Sequence, residues 1–236
     1  MRFHVITLFP GLIEECVNTS IIGRARSKGL IDIYTTCLKD FSTNSYGSVD
    51  DYTYGGGAGM LIGCEPVYRA FEAASSNVPE GGEYKFIYTS PQGKTFDQRA
   101  AEALSGYEDL IFLCGHYEGV DERVLEELEA ESYSIGDYVL TGGELPAAVM
   151  IDAIARLVPG VLHNGDSAED ESFNGGLLEY PQYTRPAVWK DREVPEVLLS
   201  GDHKKVEQYR HLKAVERTRE RRPDMYEEYL RARGIW

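Results

Sequence analysis

Three glycines, two carboxylates and several apolar side chains crowd into thirteen residues: Ser134-Ile135-Gly136-Asp137-Tyr138-Val139-Leu140-Thr141-Gly142-Gly143-Glu144-Leu145-Pro146. Neither a regular helix nor a strand calls for that mixture. A backbone that must turn tightly and lie close to a ligand does. Pro146 suits the first turn of a following helix, which would set backbone donors beside a helix N-terminus. A second glycine-rich stretch, Asp50-Asp51-Tyr52-Thr53-Tyr54-Gly55-Gly56-Gly57-Ala58-Gly59-Met60, is flanked by aromatics and carboxylates. It reads either as a set of turns or as a loop that lets a planar base lie against the backbone, as a flipped nucleotide requires. The acidic run Glu169-Asp170-Glu171 is either solvated charge or the source of a general base that becomes ordered when substrate arrives. Arg156 either snorkels at a helix end or stabilises negative charge developing on a substrate oxygen.

The elements that must position these residues alternate. Strand patterns near 2–8, 30–38, 84–89 and 109–114 interleave with helical patterns near 20–28, 65–77, 97–105, 121–130 and 144–158. That order predicts an α/β domain with a mainly parallel sheet. Ligands in such sheets sit outside the carboxyl ends of the strands. Ser90-Pro91-Gln92-Gly93, Gly115-His116-Tyr117-Glu118-Gly119 and the Ser134 to Pro146 loop are all read as falling just after predicted strands. After Val158-Pro159-Gly160 the sequence becomes polar and acidic, as a linker does. Beyond it a Pro-rich entry, Tyr180 to Pro186, leads into two helices. In the first of them Val206, Tyr209, Leu212 and Val215 are read as a buried stripe, with Lys204, Lys205, Arg210, Lys213, Arg217 and Arg219 largely outside it. The expected boundaries are residues 1–161, a linker at 162–174 and a helical unit at 175–236.

Several chemistries are excluded by missing motifs. Gly93-Lys94-Thr95 suggests a phosphate loop, but Tyr88 stands where that loop needs its first glycine. There is no Gly-x-Ser-x-Gly elbow, no His-Glu-x-x-His pair and no calcium loop. The cysteines at 16, 37, 64 and 114 are scattered, with no zinc-like spacing, and are read as reduced thiols; no metal ligand set is expected. The chain opens on a strand pattern and contains no apolar run of membrane length, so a cytoplasmic protein without a membrane partner is expected. The net charge of −15 argues against a nucleic-acid partner until its distribution is examined. From Gly201 to Trp236, ten Lys or Arg stand against seven Asp or Glu. Taken alone, that basic tail reads first as a solvated helix and second as a phosphate-contacting surface.

Taken together, the chain resembles the bacterial tRNA (guanine-N1)-methyltransferase family. The motifs that carry the resemblance run over nearly its whole length: Ile6-Thr7-Leu8-Phe9-Pro10, the Tyr54 to Met60 loop, Ser90-Pro91-Gln92-Gly93, Cys114-Gly115-His116-Tyr117-Glu118-Gly119-Val120-Asp121-Glu122-Arg123, Ser134 to Pro146, Pro159-Gly160-Val161-Leu162 and Tyr180 to Pro186. The resemblance implies a SPOUT-type α/β domain with a parallel sheet and a deep trefoil knot, a small helical C-terminal domain and a homodimer whose active site is shared between subunits. It implies methylation of guanosine 37 in tRNA bearing guanosine at positions 36 and 37. The donor, S-adenosylmethionine, would be held by Tyr88, Thr89, Ser90, Pro91, Gly115, Tyr117, Glu118 and Ile135 through Leu140, with Gly142, Gly143 and Pro146 shaping the pocket. It implies substrate contacts from Asp50, Gly55, Gly56, Gly57, Gly59 and Ser167, with phosphate contacts expected from Lys204, Lys205, Arg210 and Lys213. It assigns Arg156 to guanine O6. The general base should be an aspartate directly before Ser172-Phe173, where this chain has Glu171 preceded by Asp170. Either carboxylate fits the role, Glu171 by alignment and Asp170 by a one-residue shift. Thr53 and Ala58 replace expected prolines, and the family's magnesium dependence finds no visible ligand cluster. The competing expectations are a methyltransferase of the same fold acting on another RNA site such as ribose 2′-OH, and a non-catalytic RNA-binding module.

Overall fold

The computed structural model describes residues 1–57, 59–162 and 172–235. The chain divides into two compact units, Met1–His163 and Asn164–Trp236. In the first, five strands form one fully parallel sheet: β1 (Arg2–Thr7), β2 (Asp32–Cys37), β5 (Tyr84–Thr95), β6 (Asp109–Cys114) and β7 (Glu131–Ser134), ordered β2-β1-β6-β5-β7. A separate antiparallel pair, β3 (Asp50–Tyr52) and β4 (Met60–Ile62), closes the glycine-rich loop.

Strand alternation assigns the core. In the central strand β6 every residue is buried, as a parallel strand covered on both faces requires. Phe3, Val5, Leu110 and Phe112 point to one face, packing with Ile13 of α1 (Pro10–Val17) and with Met150 and Ile151 of α6 (Glu144–Ala155). Ile6, Ile111 and Leu113 point to the other, against Val67 and Phe71 of α3 (Cys64–Ser75) and Val124 of α5 (Glu122–Glu127). Among the described residues this unit also contains the α-helices α2 (Ser20–Ser27) and α4 (Gln98–Leu104).

At the amino end of the sheet Asp109 is completely buried. It accepts two hydrogen bonds from the Arg2 guanidinium, at 2.7 and 2.6 Å, while His4 Nε2 lies 3.0 Å away. Burial alone would raise the Asp109 pKa, but the hydrogen bonds from Arg2 and His4 outweigh it and hold the carboxyl below its ordinary range. The folded chain therefore binds this proton more weakly than the unfolded one. The stabilisation is complete above the unfolded value of about 3.9 and disappears as pH falls through the lower folded value. Asp109→Asn is expected to cost about 2 kcal/mol in urea unfolding at pH 7, with the gap to wild type closing in acid. A gap independent of pH would show that the carboxylate charge is not what stabilises this corner.

Several sequence expectations need correction. The strand expected at 84–89 runs to Thr95, so Ser90-Pro91-Gln92-Gly93 is not a loop after the strand. Thr89 and Lys94 both pair with Tyr133, and the residues between them bulge from the ladder. The helices expected at 121–130 and 144–158 stop at Glu127 and Ala155. Helix α1 and strand β7 have no counterpart among the sequence expectations.

In the second unit a short hairpin, Val188–Trp189 with Arg192–Glu193, and the short helix Glu196–Leu199 precede the helices His203–Arg221 and Pro223–Ala232. The buried stripe expected from Val206, Tyr209, Leu212 and Val215 is not the one observed: Leu212 is 60% exposed, and Ala214 and Thr218 are buried instead. Strict three-residue steps drift round a helix of 3.6 residues per turn, whereas 206, 210, 214 and 218 stay on one side. Arg210 and Arg217 consequently fall on the half-buried side. The Thr218 hydroxyl accepts from Leu178 N–H at 2.8 Å, and Arg217 donates to the Glu179 carbonyl at 3.2 Å, fixing the entry segment to the helix.

Candidate active site

The carboxyl end of β6 and the bulge of β5 open into a cleft of about 440 Å³. The chain leaves β7 on the outer side of β5 and returns at Gly143 to lie between Thr89, at the bulge of β5, and Gly115, just past β6. There Gly143 N–H donates to the Gly115 carbonyl at 2.8 Å, and the Thr89 hydroxyl donates to the Gly143 carbonyl at 3.2 Å. A side chain at Gly143 would collide with Thr89 Oγ1 and come within 2.7 Å of Gly115 N and 2.9 Å of the Cys114 Cα. Only glycine passes this point. Directly after it Glu144 begins α6, buried, with its carboxylate accepting from the Thr7 hydroxyl at 2.7 Å. An acidic residue in the first turn suits the positive end of the helix dipole. Burial, with the nearby Glu144 charge, pushes the Cys114 thiol well up, so it stays protonated under the cleft floor.

Residues 135–140 form the outer wall and fold back on themselves. The Ser134 hydroxyl donates to the Gly136 carbonyl at 2.9 Å, and Tyr138 N–H donates to that carbonyl at 2.9 Å. The opposite wall is the Gly115–Gly119 turn. Burial raises the Tyr88 phenol, which stands against this turn and is held protonated there.

The glycine hairpin abuts the same turn. Glu118 N–H donates to the Met60 carbonyl at 3.1 Å, and Ile62 N–H to the Gly119 carbonyl at 3.0 Å. Gly55, Gly56, Gly57 and Gly59 have φ of 85°, 80°, 135° and 96°, a backbone path that side chains would strain. Tyr52 and Tyr54 project from this hairpin, 83% and 99% exposed. Burial first, then the negative charge of Asp50, raises the Tyr117 phenol, which places Asp50 within electrostatic reach of the cleft.

Of the residues expected to hold the donor, all line the cleft except Asp137. Leu61, Leu125 and Tyr133 also line it and were not singled out from sequence. Leu61 follows the glycine loop directly, a position that could have signalled it. Leu125 and Tyr133 look like ordinary core residues in the sequence. Arg156 is at the opposite end of α6 from Glu144. Twelve helical residues span about 18 Å, so one chain does not bring Arg156 to its own cleft. Asp170, Glu171 and Ser167 lie outside the described residues, as does Ala58. In the other unit Lys204 and Lys205 are exposed at the start of the helix His203–Arg221, where Lys205 pairs with Asp202 at 3.1 Å. Lys213 pairs with Glu216 at 2.6 Å, and the Arg210 guanidinium covers the Tyr180 ring at 4.8 Å. Among the described residues no three His, Cys, Asp or Glu side chains are grouped to hold a metal, and no helix is long and apolar enough to cross a membrane.

The family model described as tRNA (guanine-1)-methyltransferase TrmD matches residues 1–228. A tRNA (guanine-N(1)-)-methyltransferase of Lachnospira eligens is 54% identical over 231 residues, covering 98% of this chain and 97% of that protein. Proteins of the same name from Ruminiclostridium cellulolyticum and Clostridioides difficile are 51% and 48% identical, covering 96% of this chain and 96% and 97% of their own lengths. With its strand-end cleft, its glycine hairpin and this full-length similarity, the chain belongs to the tRNA (guanine-1)-methyltransferase family.

Proposed function

We propose that this protein is a cytoplasmic enzyme that moves a methyl group from S-adenosylmethionine to N1 of guanosine 37 in tRNA carrying guanosine at positions 36 and 37. The observation that carries the reading is the cleft at the strand ends, shaped by the passage of Gly143 between Thr89 and Gly115 and faced by the glycine hairpin. The cleft fits the donor. Ile135, Val139, Leu140 and Pro146 offer apolar surface to an adenosine, and the carboxylates of Glu118 and Glu122 line it as partners for positive charge. When bound, S-adenosylmethionine supplies an electrophilic methyl group. The return of the chain between β5 and β6 after β7 supports the SPOUT-type trefoil knot that the family resemblance implies.

Guanine N1 carries a proton at neutral pH and must lose it as the nitrogen attacks. Glu171 or Asp170 takes that proton. Arg156 stabilises the charge that then develops on O6. Because Arg156 is a helix length from its own cleft, a second copy must supply it, which is the reason to propose a homodimer with shared sites. Helices α1 and α6 pack together and leave Leu12, Leu145 and Val149 exposed for such a contact. No described residues form a magnesium site, and no step is derived through that ion.

Purified protein with labelled S-adenosylmethionine and a tRNA transcript bearing guanosine 36 and 37 tests the reaction. The expected product is N1-methylguanosine at position 37, absent when guanosine 37 is replaced. A methyl group on a ribose or at another base would overturn the assignment.

In this reading Lys204 and Lys205 bind tRNA phosphates while the acidic first unit repels nonspecific RNA. Replacing both with glutamine is expected to weaken tRNA binding and to flatten the salt dependence of log K by about 0.9 for each phosphate that is no longer neutralised. An unchanged slope in filter binding at several salt concentrations would remove them from the interface.

A further inference from the structure

The second unit contains a cleft of its own, also about 440 Å³, that the methylation chemistry does not use. It is lined by Tyr180, Tyr183, Arg185, Leu198, Val206 and Arg210, among others. Its volume is in the range of small-molecule sites. The Arg210 guanidinium lies over the Tyr180 ring, 4.8 Å from its centre, a cation–π contact at the wall. Arg210 Nε is shielded from solvent and has no hydrogen-bond partner among the described residues. A buried donor left unpaired is costly, and an acceptor carried in by a ligand would satisfy it. Tyr183, 47% exposed, lines the same cleft and adds a second aromatic ring to it. Leu198 and Val206 provide an apolar floor, and Arg185 is exposed at the edge.

Each feature constrains the occupant. The aromatic ring and the guanidinium pair favour a planar group. The orphaned Nε asks for an acceptor such as a ring nitrogen or exocyclic oxygen. The exposed arginine at the rim suits a phosphate attached to that planar group. Resting on the tRNA reading above, we propose that this cleft receives an unpaired nucleobase of the same tRNA, distinct from guanosine 36 and guanosine 37. The site would secure the RNA at a second point by stacking, which tolerates any base, while base identity is read elsewhere.

The test uses the full-length protein and tRNA transcripts with 2-aminopurine placed singly at each unpaired position. One position other than 36 and 37 is expected to lose fluorescence on binding, and to keep it with Tyr183→Ala. The KM for tRNA should rise about tenfold in that variant, within the range measured for base stacking on aromatic side chains, with donor affinity at the wild-type value. Arg210→Lys keeps the charge without the flat donor and should lose the quench as Arg210→Gln does. Tyr183→Leu repeats the test at an exposed position that tolerates change. The proposal is overturned if no position outside 36 and 37 responds, if the response survives Tyr183→Ala and Tyr183→Leu, or if Arg210→Lys restores binding, since Arg210 would then serve only as a positive charge for phosphate. Wild-type protein that shows the quench but methylates nothing would overturn the methylation reading and leave the base site standing.

Discussion

Gly143→Val is expected to abolish donor binding, with at least a hundredfold loss of affinity in calorimetric titration and no measurable methyl transfer. The chain at this position passes between the bulge of β5 and the end of β6. Its N–H is fixed to the Gly115 carbonyl at 2.8 Å, and its own carbonyl accepts from Thr89 at 3.2 Å. A β-carbon would meet backbone on one side, at 2.7 Å from Gly115 N and 2.9 Å from the Cys114 Cα, and the Thr89 side chain on the other. Backbone cannot rotate away as a side chain does. The loop must therefore lift, taking Leu140, Gly142 and Pro146 out of the cleft lining. A displacement of about 1 Å in a positioning element costs about a hundredfold, and overpacking adds about 1–3 kcal/mol. Gly106→Ala is the matched control, since its β-carbon would meet only the Ala103 carbonyl at 3.4 Å, and it should bind donor as wild type does. Donor binding by Gly143→Val at wild-type strength would show that this crossing does not shape the site.

That crossing also marks what a sequence can disclose. Gly143 stands out because glycine pairs near a helix start are unusual, and the wall residues 135–140 stand beside it in the chain. Asp137 shares the stretch but does not line the cleft, because an irregular loop has no repeat that fixes which way each side chain faces and proximity along the chain does not decide it. Strand β7 escapes sequence reading because Glu131-Ser132-Tyr133-Ser134 has no apolar run; it forms by pairing with the edge of β5, a partner some forty residues earlier. Helix α1 escapes it for the opposite reason, since it follows β1 directly through Phe9 and Pro10, and a proline reads as a break unless it occupies the first helical turn. Leu125 and Tyr133 enter the cleft lining only because the fold turns them toward it. The misplacement of Arg210 has a local cause, a three-residue step taken for a helical repeat, and the true repeat puts an expected surface cation in the wall of a cleft. The parallel sheet was legible because strand and helix patterns alternate along the first unit; the return of the chain through it was not, because threading leaves no mark in composition.

The second large effect concerns proton removal. Replacing the active carboxylate, Glu171→Ala or Asp170→Ala, should lower kcat by about 10² to 10⁴ while donor affinity stays at the wild-type value. Only one of the two variants should do so, because one base takes one proton; equal and small losses in both would mean that neither removes it. The same variant tests the sharing of the site. A preparation of the dead carboxylate variant has sound donor clefts, and Gly143→Val has sound carboxylates. If cleft and base belonged to one chain, mixing the two would restore nothing, since every chain would lack one half. If they come from different chains of a twofold dimer, random reassortment gives mixed dimers as half of the population, each with one intact site and one doubly defective site. Activity should then return to about a quarter of wild type. Arg156→Ala mixed with Gly143→Val should recover in the same way, because the length of α6 separates Arg156 from the cleft of its own chain. Recovery with the carboxylate variant but not with Arg156→Ala would leave the base shared and remove Arg156 from the partner's site.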